Sequence, residues 1–154
     1  MFGYREKCYW ERTETACELE RKYTQLGPWD VGSVFLDITD SVCETICVFY
    51  PEEGQIKKQP LVIVANGTGV KASDYSDFFR HLVSWGFVVA GNEDPNSRSG
   101  ASASETLSRV LQENGNSESK LCGRVDLERI AIAGQSQGGV AVVNAINHYD
   151  NGRL

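Results

Sequence analysis

The chain has 154 residues, of which 41% are hydrophobic and 23% charged, enough for one globular domain with a real core. Its net charge of −6 argues against a nucleic-acid-binding surface, and no Lys/Arg-rich run suggests binding to an anionic membrane. No stretch approaches the apolar length of a transmembrane helix, and residues 1–11 lack the apolar centre of a signal peptide. We therefore expect no nucleic-acid partner and no transmembrane segment. A cytoplasmic location is favoured unless the true N-terminus lies upstream, and the oligomeric state is left open.

The five cysteines are an odd number without metal-ligand spacing, so we expect neither a metal site nor a disulfide framework. Cys43 and Cys47 would be roughly 13 Å apart along one continuous strand, which is too far for a disulfide bond. The thiols are interpreted as reduced and mostly structural, which is typical of a cytoplasmic chain. No cofactor is expected.

The first third of the chain combines a helical pattern with a strand pair. Residues 1–25 mix charged and aromatic residues, with apolar positions loosely at helical spacing, and predict an N-terminal helical extension. Leu26-Gly27-Pro28-Trp29 ends it. Two segments rich in Val, Ile and Phe, residues 31–39 and 45–50, predict strands, and their short connection favours an antiparallel pair.

From residue 61 onwards the pattern alternates between strand and helix. Strands are predicted at 61–65, 87–90 and 130–133, and helices at 73–85, 101–114 and 136–148. Continuous apolar strands are typical of a parallel sheet that is covered on both faces. The sequence therefore predicts an α/β fold with a mostly parallel sheet, an N-terminal antiparallel pair, flanking helices and right-handed crossovers.

Gly134-Gln135-Ser136-Gln137-Gly138 follows an apolar strand and precedes small apolar residues at helical spacing. A strand, a sharp Gly-x-Ser-x-Gly turn and a helix form a nucleophile elbow, whose central residue is held in a strained conformation. Gly134 and Gly138 would let the backbone pass close to its neighbours. Ser136 is thus the candidate nucleophile, with its Oγ above the carboxyl edge of the sheet. The alternative is a glycine-rich turn in which the serine is incidental.

Acyl transfer at a serine also needs backbone donors for the oxyanion, a base for the hydroxyl proton and an acid that orients the base. In a nucleophile-elbow architecture one donor is the N–H of the residue after the serine, here Gln137. The other donor comes from the loop after an earlier strand, which here is Asn66-Gly67-Thr68-Gly69. Thr68 is the candidate for this second N–H.

Four segments resemble successive blocks of one protein family, in the same order: residues 60–69, 81–89, 96–99 and 125–139. The family is the α/β-hydrolase branch that contains cutinase-like polyester hydrolases, chlorophyllases and relatives of dienelactone hydrolase. The resemblance covers about residues 26–148. Four blocks in register are far more specific than the Gly-x-Ser-x-Gly pattern alone.

This resemblance implies that residues 26–154 are the N-terminal part of an α/β-hydrolase domain. It also implies that Ser136 is the nucleophile, that Thr68 and Gln137 supply the oxyanion hole, and that the substrate is a carboxylic ester. A small-molecule ester, a lipid and a polyester all fit this class. Gln135 stands where many relatives have His or Trp, a difference that concerns packing and specificity rather than chemistry.

The acid and the histidine of the catalytic triad have no candidate in this chain. Both follow the serine in the α/β-hydrolase fold, but only 18 residues follow Ser136. His148 lies 12 residues along the predicted elbow helix, roughly 18 Å from its start. His81 precedes the serine on another helix, and Asp150 lies in the terminal tail. We therefore predict a hydrolase fragment, truncated after the elbow helix, in which strand 130–133 is an unprotected hydrophobic edge.

Two other functions remain open from the sequence. Gly67-x-Gly69-x-x-Ala72 follows a strand and precedes a helix, and Glu93 or Asp94 lies about 20 residues further on. This arrangement is also typical of a dinucleotide-binding fold, although such a fold would leave the elbow unexplained. A chain without the triad acid and base could instead be a non-catalytic binding module that keeps the hydrolase fold.

Overall fold

The computed structural model of the chain describes residues 14–52 and 58–149. Most of the N-terminal extension predicted for residues 1–25 therefore lies outside the described residues, as does Asp150. The elements in chain order are α1 (Glu18–Tyr23), β1 (Val31–Asp37), β2 (Thr45–Pro51), β3 (Gln59–Ala65), α2 (Ser76–Ser84), β4 (Val88–Asn92), α3 (Ala101–Gly115), β5 (Val125–Gly134) and α4 (Gln137–Tyr149). Short 3-10 turns at Ala72–Tyr75 and Ser97–Ser99 precede α2 and α3.

The five strands form one mixed sheet in the order β1-β2-β4-β3-β5. β1 and β2 are antiparallel, which confirms the prediction for this pair, and β2 is also antiparallel to β4. β3 pairs in parallel with β4 on one side and with β5 on the other. One strand, β2, thus runs opposite to the other four, and the sheet is compatible with the predicted α/β fold class.

The helices cover the two faces of the sheet because the central strands are apolar on both. On one face, Leu61 and Ile63 of β3 belong to a core cluster that also contains residues of α3 and α4. On the other face, Val64 packs in a second cluster with Phe79 of α2. Successive residues of a strand point to opposite faces, so one short strand supplies both cores. None of the helices in the described ranges is long and apolar enough to span a bilayer.

The start of β5 differs from the prediction. The strand begins at Val125, which pairs with Gln59, and the register then shifts before Ile130 pairs with Leu61. The intervening bulge is stabilised by hydrogen bonds within it. The Asp126 carboxylate accepts the N–H of Glu128 at 3.0 Å and Arg129 Nε–H at 2.6 Å. The Arg129 hydrogen bond lowers the pKa of the Asp126 carboxyl. Such side-chain contacts are local, but their effect on strand pairing is not visible in a hydrophobic pattern.

The start of α2 also differs from the predicted helix at 73–85. A 3-10 turn over Ala72–Tyr75 comes first, and the α-helix begins at Ser76. The Asp74 carboxylate accepts the Lys71 N–H at 3.0 Å and closes this tighter turn. The turn fixes the orientation of Tyr75, which contributes to the site described below.

β5 is an edge strand, and the surface around it is apolar. The sheet order places no strand of the described ranges on its outer side. Leu127 on β5 is 59% exposed, and on α4 Val140, Val143 and Ile146 are 44%, 55% and 44% exposed. The unprotected hydrophobic edge predicted for strand 130–133 is therefore present in the structure.

Two of the cysteines are buried thiols. Cys43 is 0% and Cys47 3% exposed, and both are free, as are the exposed Cys17 and Cys122. Burial, with some contribution from nearby carboxylates, raises the pKa of Cys43 and of Cys47 to about 12. β2 begins at Thr45, so Cys43 precedes the strand that contains Cys47, in agreement with the strand predicted at 45–50. Both thiols are poor nucleophiles at neutral pH and are not candidates for catalysis.

Candidate active site

The turn between β5 and α4 has the conformation expected of a nucleophile elbow. Ser136 has φ +53°, in the left-handed region that non-glycine residues rarely adopt. The turn closes directly into the helix, since Gly138 N donates to Gln135 O at 2.8 Å and Gly139 N donates to Ser136 O at 2.9 Å. Ser136 is exposed at this point. The predicted strain at the central residue is thus present.

Both glycines of the Gly-x-Ser-x-Gly pattern are required for steric reasons that the structure makes explicit.

 Gly134 passes so close to Gly138 that a Cβ on Gly134 would overlap the Gly138 carbonyl group. A Cβ on Gly138 would overlap the carbonyl group of Ala65, at the end of β3, and lie 3.0 Å from the Asn66 oxygen. The elbow is therefore pressed against the end of β3, and only glycine allows this approach.

The loop that carries Thr68 lies next to the elbow because their strands are neighbours. β3 and β5 pair in parallel up to Ala65 and Gly134, and the two loops follow directly at the same edge of the sheet. Gln135 N also donates to Ala65 O at 3.3 Å. In the described part of the chain, the backbone N–H groups of Thr68 and Gln137 donate to no other atom. Both remain available to an external acceptor.

The Thr68 loop is anchored at both ends by hydrogen bonds to the segment that follows β4. The Asn66 side chain is 0% exposed, and its Nδ2 donates to Asn92 O at 2.7 Å and to Asp94 O at 2.8 Å. Ser97 Oγ donates to Asn66 O at 2.7 Å, and Gly69 N donates to Pro95 O at 2.9 Å. These bonds fix the loop against the segment between β4 and α3.

The same network reaches α3 through a second buried asparagine. Asn92 Nδ2 donates to Thr106 Oγ1 at 2.8 Å and to Ser102 O at 3.2 Å, and Asn92 Oδ1 accepts the Asp94 N–H at 3.0 Å. Sequence reasoning missed Asn66, Asn92 and Thr106 as supporting residues. A usable signal was present, because Asn66 follows one apolar strand and Asn92 ends the next. A buried amide must find hydrogen-bond partners.

Changing Asn66 to Asp is expected to lower the free energy of unfolding by about 3 kcal/mol at pH 7, because a carboxylate would face two carbonyl oxygens without a donor. Burial would raise the pKa of the new carboxyl, so the loss should shrink as the pH falls and the protonated form becomes a donor. Urea unfolding at pH 5 and pH 7 measures both effects. Asn116→Asp is the matched control, since exposed Asn116 uses its Oδ1 only as an acceptor, for the Glu118 N–H at 3.1 Å. Equal stability of the two variants would contradict the role given to Asn66.

A tyrosine joins the Thr68 loop to the elbow. The Tyr75 hydroxyl accepts the Gly67 N–H at 3.1 Å and donates to Gln135 Oε1 at 3.1 Å. The Gln135 side chain lies directly on Gly67, where any Cβ would overlap its Oε1. Because Oε1 is the far end of a flexible side chain, this contact shows that the elbow packs closely on the loop, and not that position 67 must be glycine.

Among the described residues, two depressions border β5. An apolar cleft of about 350 Å³ lies beside the elbow, and a more open one of about 660 Å³ lies near the start of β5 and the end of α3. The larger depression includes no residue of the elbow or of the Thr68 loop. The smaller one is therefore the one relevant to the site, and it is lined by Val64, Tyr75, Phe78, Ala133, Gly134 and Gln135.

Both histidines belong to helices, at backbone positions away from Ser136. His81 lies in the second half of α2, which leads away from the carboxyl edge of the sheet, and its Nε2 is 2.8 Å from Tyr23 O. His148 is 12 residues along the chain from Ser136, in α4, and its side chain lies outside the described residues. Within residues 14–52 and 58–149, no three His, Cys, Asp or Glu side chains are grouped so that they could hold a metal ion.

The mixed sheet with helices on both faces, and the turn that follows β5, fit a protein of the α/β-hydrolase class. The family model described as PET hydrolase-like matches residues 16–151. The chain therefore belongs to the PET hydrolase-like family, a cutinase-like polyester hydrolase family within the α/β-hydrolase superfamily. This confirms the resemblance found in the sequence and suggests hydrolase activity on esters or polyesters. No curated protein sequence matches the chain significantly.

Proposed function

We propose that the chain supplies the nucleophile and the oxyanion hole of a serine hydrolase that acts on carboxylic esters through an acyl-enzyme. Ser136 is the nucleophile, and the N–H groups of Gln137 and Thr68 bind the oxyanion. The observation that carries the proposal is the left-handed φ of +53° at Ser136, at the junction of β5 and α4, in a member of this family. A strained conformation at an exposed serine indicates a functional constraint.

The chemistry follows from these groups. Ser136 Oγ attacks the ester carbonyl carbon, its proton passes to a base, and the carbonyl oxygen becomes an oxyanion. The N–H of Gln137, at the N-terminus of α4, stabilises this charge together with the N–H of Thr68 and the helix dipole. The bond to the alcohol oxygen then breaks, the alcohol takes the proton from the base, and water hydrolyses the acyl-enzyme to the carboxylic acid.

We further propose that the base and its orienting acid belong to polypeptide beyond this chain. His81 contacts Tyr23 on a part of α2 directed away from the elbow, and no acidic residue orients a histidine next to Ser136 in the described ranges. The outer edge of β5 and the exposed apolar face of α4 are the surface against which a further strand and helix would pack. The segment of polypeptide that supplies the missing base and acid would then lie beside the elbow.

The 154-residue chain alone is therefore expected to show no efficient turnover of a short p-nitrophenyl ester. Sequencing of the coding DNA and the transcript past Leu154 identifies the longer polypeptide, and the same assay on that polypeptide should show hydrolysis. Enzyme-like rates from the 154-residue chain, lost in Ser136→Ala, would contradict the placement of the base outside it.

A fluorophosphonate probe separates this function from that of a non-catalytic binding module. The probe reacts only with an activated serine, so it should label Ser136 in the longer polypeptide and react far more slowly with the 154-residue chain. Absence of labelling in both would favour the binding module.

A further inference from the structure

The Tyr75 hydroxyl is the one side-chain group in the described ranges that is hydrogen-bonded both to the Thr68 loop and to the elbow. It accepts the Gly67 N–H and donates its proton to Gln135 Oε1, with both distances at 3.1 Å. The other anchors of the loop, at Asn66 and Gly69, lead to the segment after β4 instead. Tyr75 therefore sets the position of the loop relative to the elbow.

The ring of Tyr75 is itself held in place. It stacks on Phe79, with ring centroids 6.3 Å apart and an angle of 9° between the planes, and Phe79 is fully buried. The 3-10 turn that carries Tyr75 is fixed by the Lys71–Asp74 hydrogen bond and by the bonds of Ser73 to the Glu93 carboxylate. The ring and the backbone of Tyr75 are therefore both held in place, and with them the position of the hydroxyl.

The loop needs such a restraint because glycines flank Thr68. Gly69 has φ +70°, and Gly67 has no side chain to limit rotation of the peptide that joins it to Thr68. The bond from Gly67 N to Tyr75 fixes one side of this peptide. It also uses the Gly67 N–H, so the free donor of the loop is the Thr68 N–H.

We propose that Tyr75 is a positioning residue that fixes the Gly67–Thr68 peptide relative to the elbow and thereby aims the Thr68 N–H at the oxyanion formed on attack by Ser136. This inference rests on the proposed function, since it assigns a task within the same site. Gln135 supports this role of Tyr75. Its Oε1 accepts the Tyr75 proton and thereby orients the hydroxyl lone pair towards Gly67 N.

Amide hydrogen exchange tests the restraint in the 154-residue chain, without any need for turnover. Tyr75→Phe keeps the ring and removes the hydroxyl, so the Gly67 amide should exchange about tenfold faster. Tyr23→Phe is the matched control, because the Tyr23 hydroxyl makes no hydrogen bond in the described part of the chain. Gln135→Leu should accelerate Gly67 exchange less than Tyr75→Phe, and Gln135→Glu, which keeps an acceptor, should resemble the wild type. If Tyr75→Phe does not fold, the comparison of Gly67 exchange in Gln135→Leu and Gln135→Glu tests the restraint instead.

Kinetics of the longer, hydrolytically active polypeptide test the consequence. Tyr75→Phe should lower kcat for a p-nitrophenyl ester by about 10- to 100-fold, with KM within about twofold, because only the transition state uses the aimed N–H. Unchanged Gly67 exchange, or an unchanged kcat in an active enzyme, overturns the positioning role. No hydrolysis by the longer wild-type polypeptide contradicts the proposed function instead, and the exchange result alone then decides on Tyr75.

Discussion

Removal of the Ser136 hydroxyl is expected to lower kcat for ester hydrolysis by about 10³- to 10⁶-fold in the proposed longer polypeptide. In the proposed mechanism the hydroxyl supplies the atom that forms the acyl-enzyme, and the N–H groups of Thr68 and Gln137 cannot replace it. Ser136→Ala is measured against the wild type with a p-nitrophenyl ester under saturating substrate. Ser117→Ala, in the exposed loop after α3, is the control and should leave kcat unchanged. Retention of activity in Ser136→Ala would exclude this serine as the nucleophile.

Ser136 can also be tested in the 154-residue chain by stability alone. At φ +53° a residue with a Cβ is strained, so Ser136→Gly should raise the free energy of unfolding by about 1 kcal/mol. Ser136→Ala keeps the Cβ and should leave stability nearly unchanged. A destabilised Ser136→Gly variant would show that the turn is not strained. Stability gained by removal of a reactive side chain is the usual sign of strain kept for function.

Substitution of Gly138 by alanine is expected to lower the free energy of unfolding by about 3 kcal/mol. The new methyl group would overlap the backbone carbonyl of Ala65 and touch the Asn66 oxygen, and neither backbone atom can move without disturbing β3 or the Asn66 network. α4 would have to shift away from β3, so the distance between the elbow and the Thr68 loop would grow. Urea denaturation measures the stability.

Gly139→Ala is the matched control for Gly138→Ala, because it places the same methyl group one residue further along α4. Nothing lies within 4 Å of a Cβ at Gly139, so the change should stabilise the helix, by up to about 1 kcal/mol. Two neighbouring glycines in one helix should thus respond with opposite signs. Similar effects at both positions would mean that helix propensity, and not the contact with Ala65, explains the need for glycine at Gly138.

The sequence was most informative where the determinant is local. The elbow at Ser136 could be predicted because strand, turn and helix are consecutive, and its left-handed φ follows from the turn itself. The antiparallel pairing of β1 and β2 followed from a short connection in the same way. Predicting that the Thr68 loop lies near the elbow required one further assumption, that their strands are neighbours in a parallel sheet. The parallel pairing of β3 with β5 agrees with this assumption.

The positions of Asn66 and Asn92 at the ends of apolar strands marked them as candidates, but the partners of the supporting residues could not be predicted because they lie far apart in the sequence. Asn66 is 26 residues from its partner Asn92, and Tyr75 is 60 residues from Gln135. No periodicity links such residues to their partners, and nothing in the sequence around Tyr75 indicates its contact with Gln135. The early start of β5 was missed for a different reason, since polar residues of the bulge, Asp126 and Arg129, interrupt the apolar pattern within the strand.

The position of β5 at the edge of the sheet has a consequence during protein synthesis. All contacts that define the five-stranded sheet lie within the first 149 residues, so this layer can form while translation of a longer polypeptide continues. A following strand and helix of about 30 residues would take a few seconds to emerge at about 5–20 residues per second. In the proposed longer polypeptide, β5 would during that interval offer an open apolar edge to other nascent chains, and aggregation is the expected hazard of this stage.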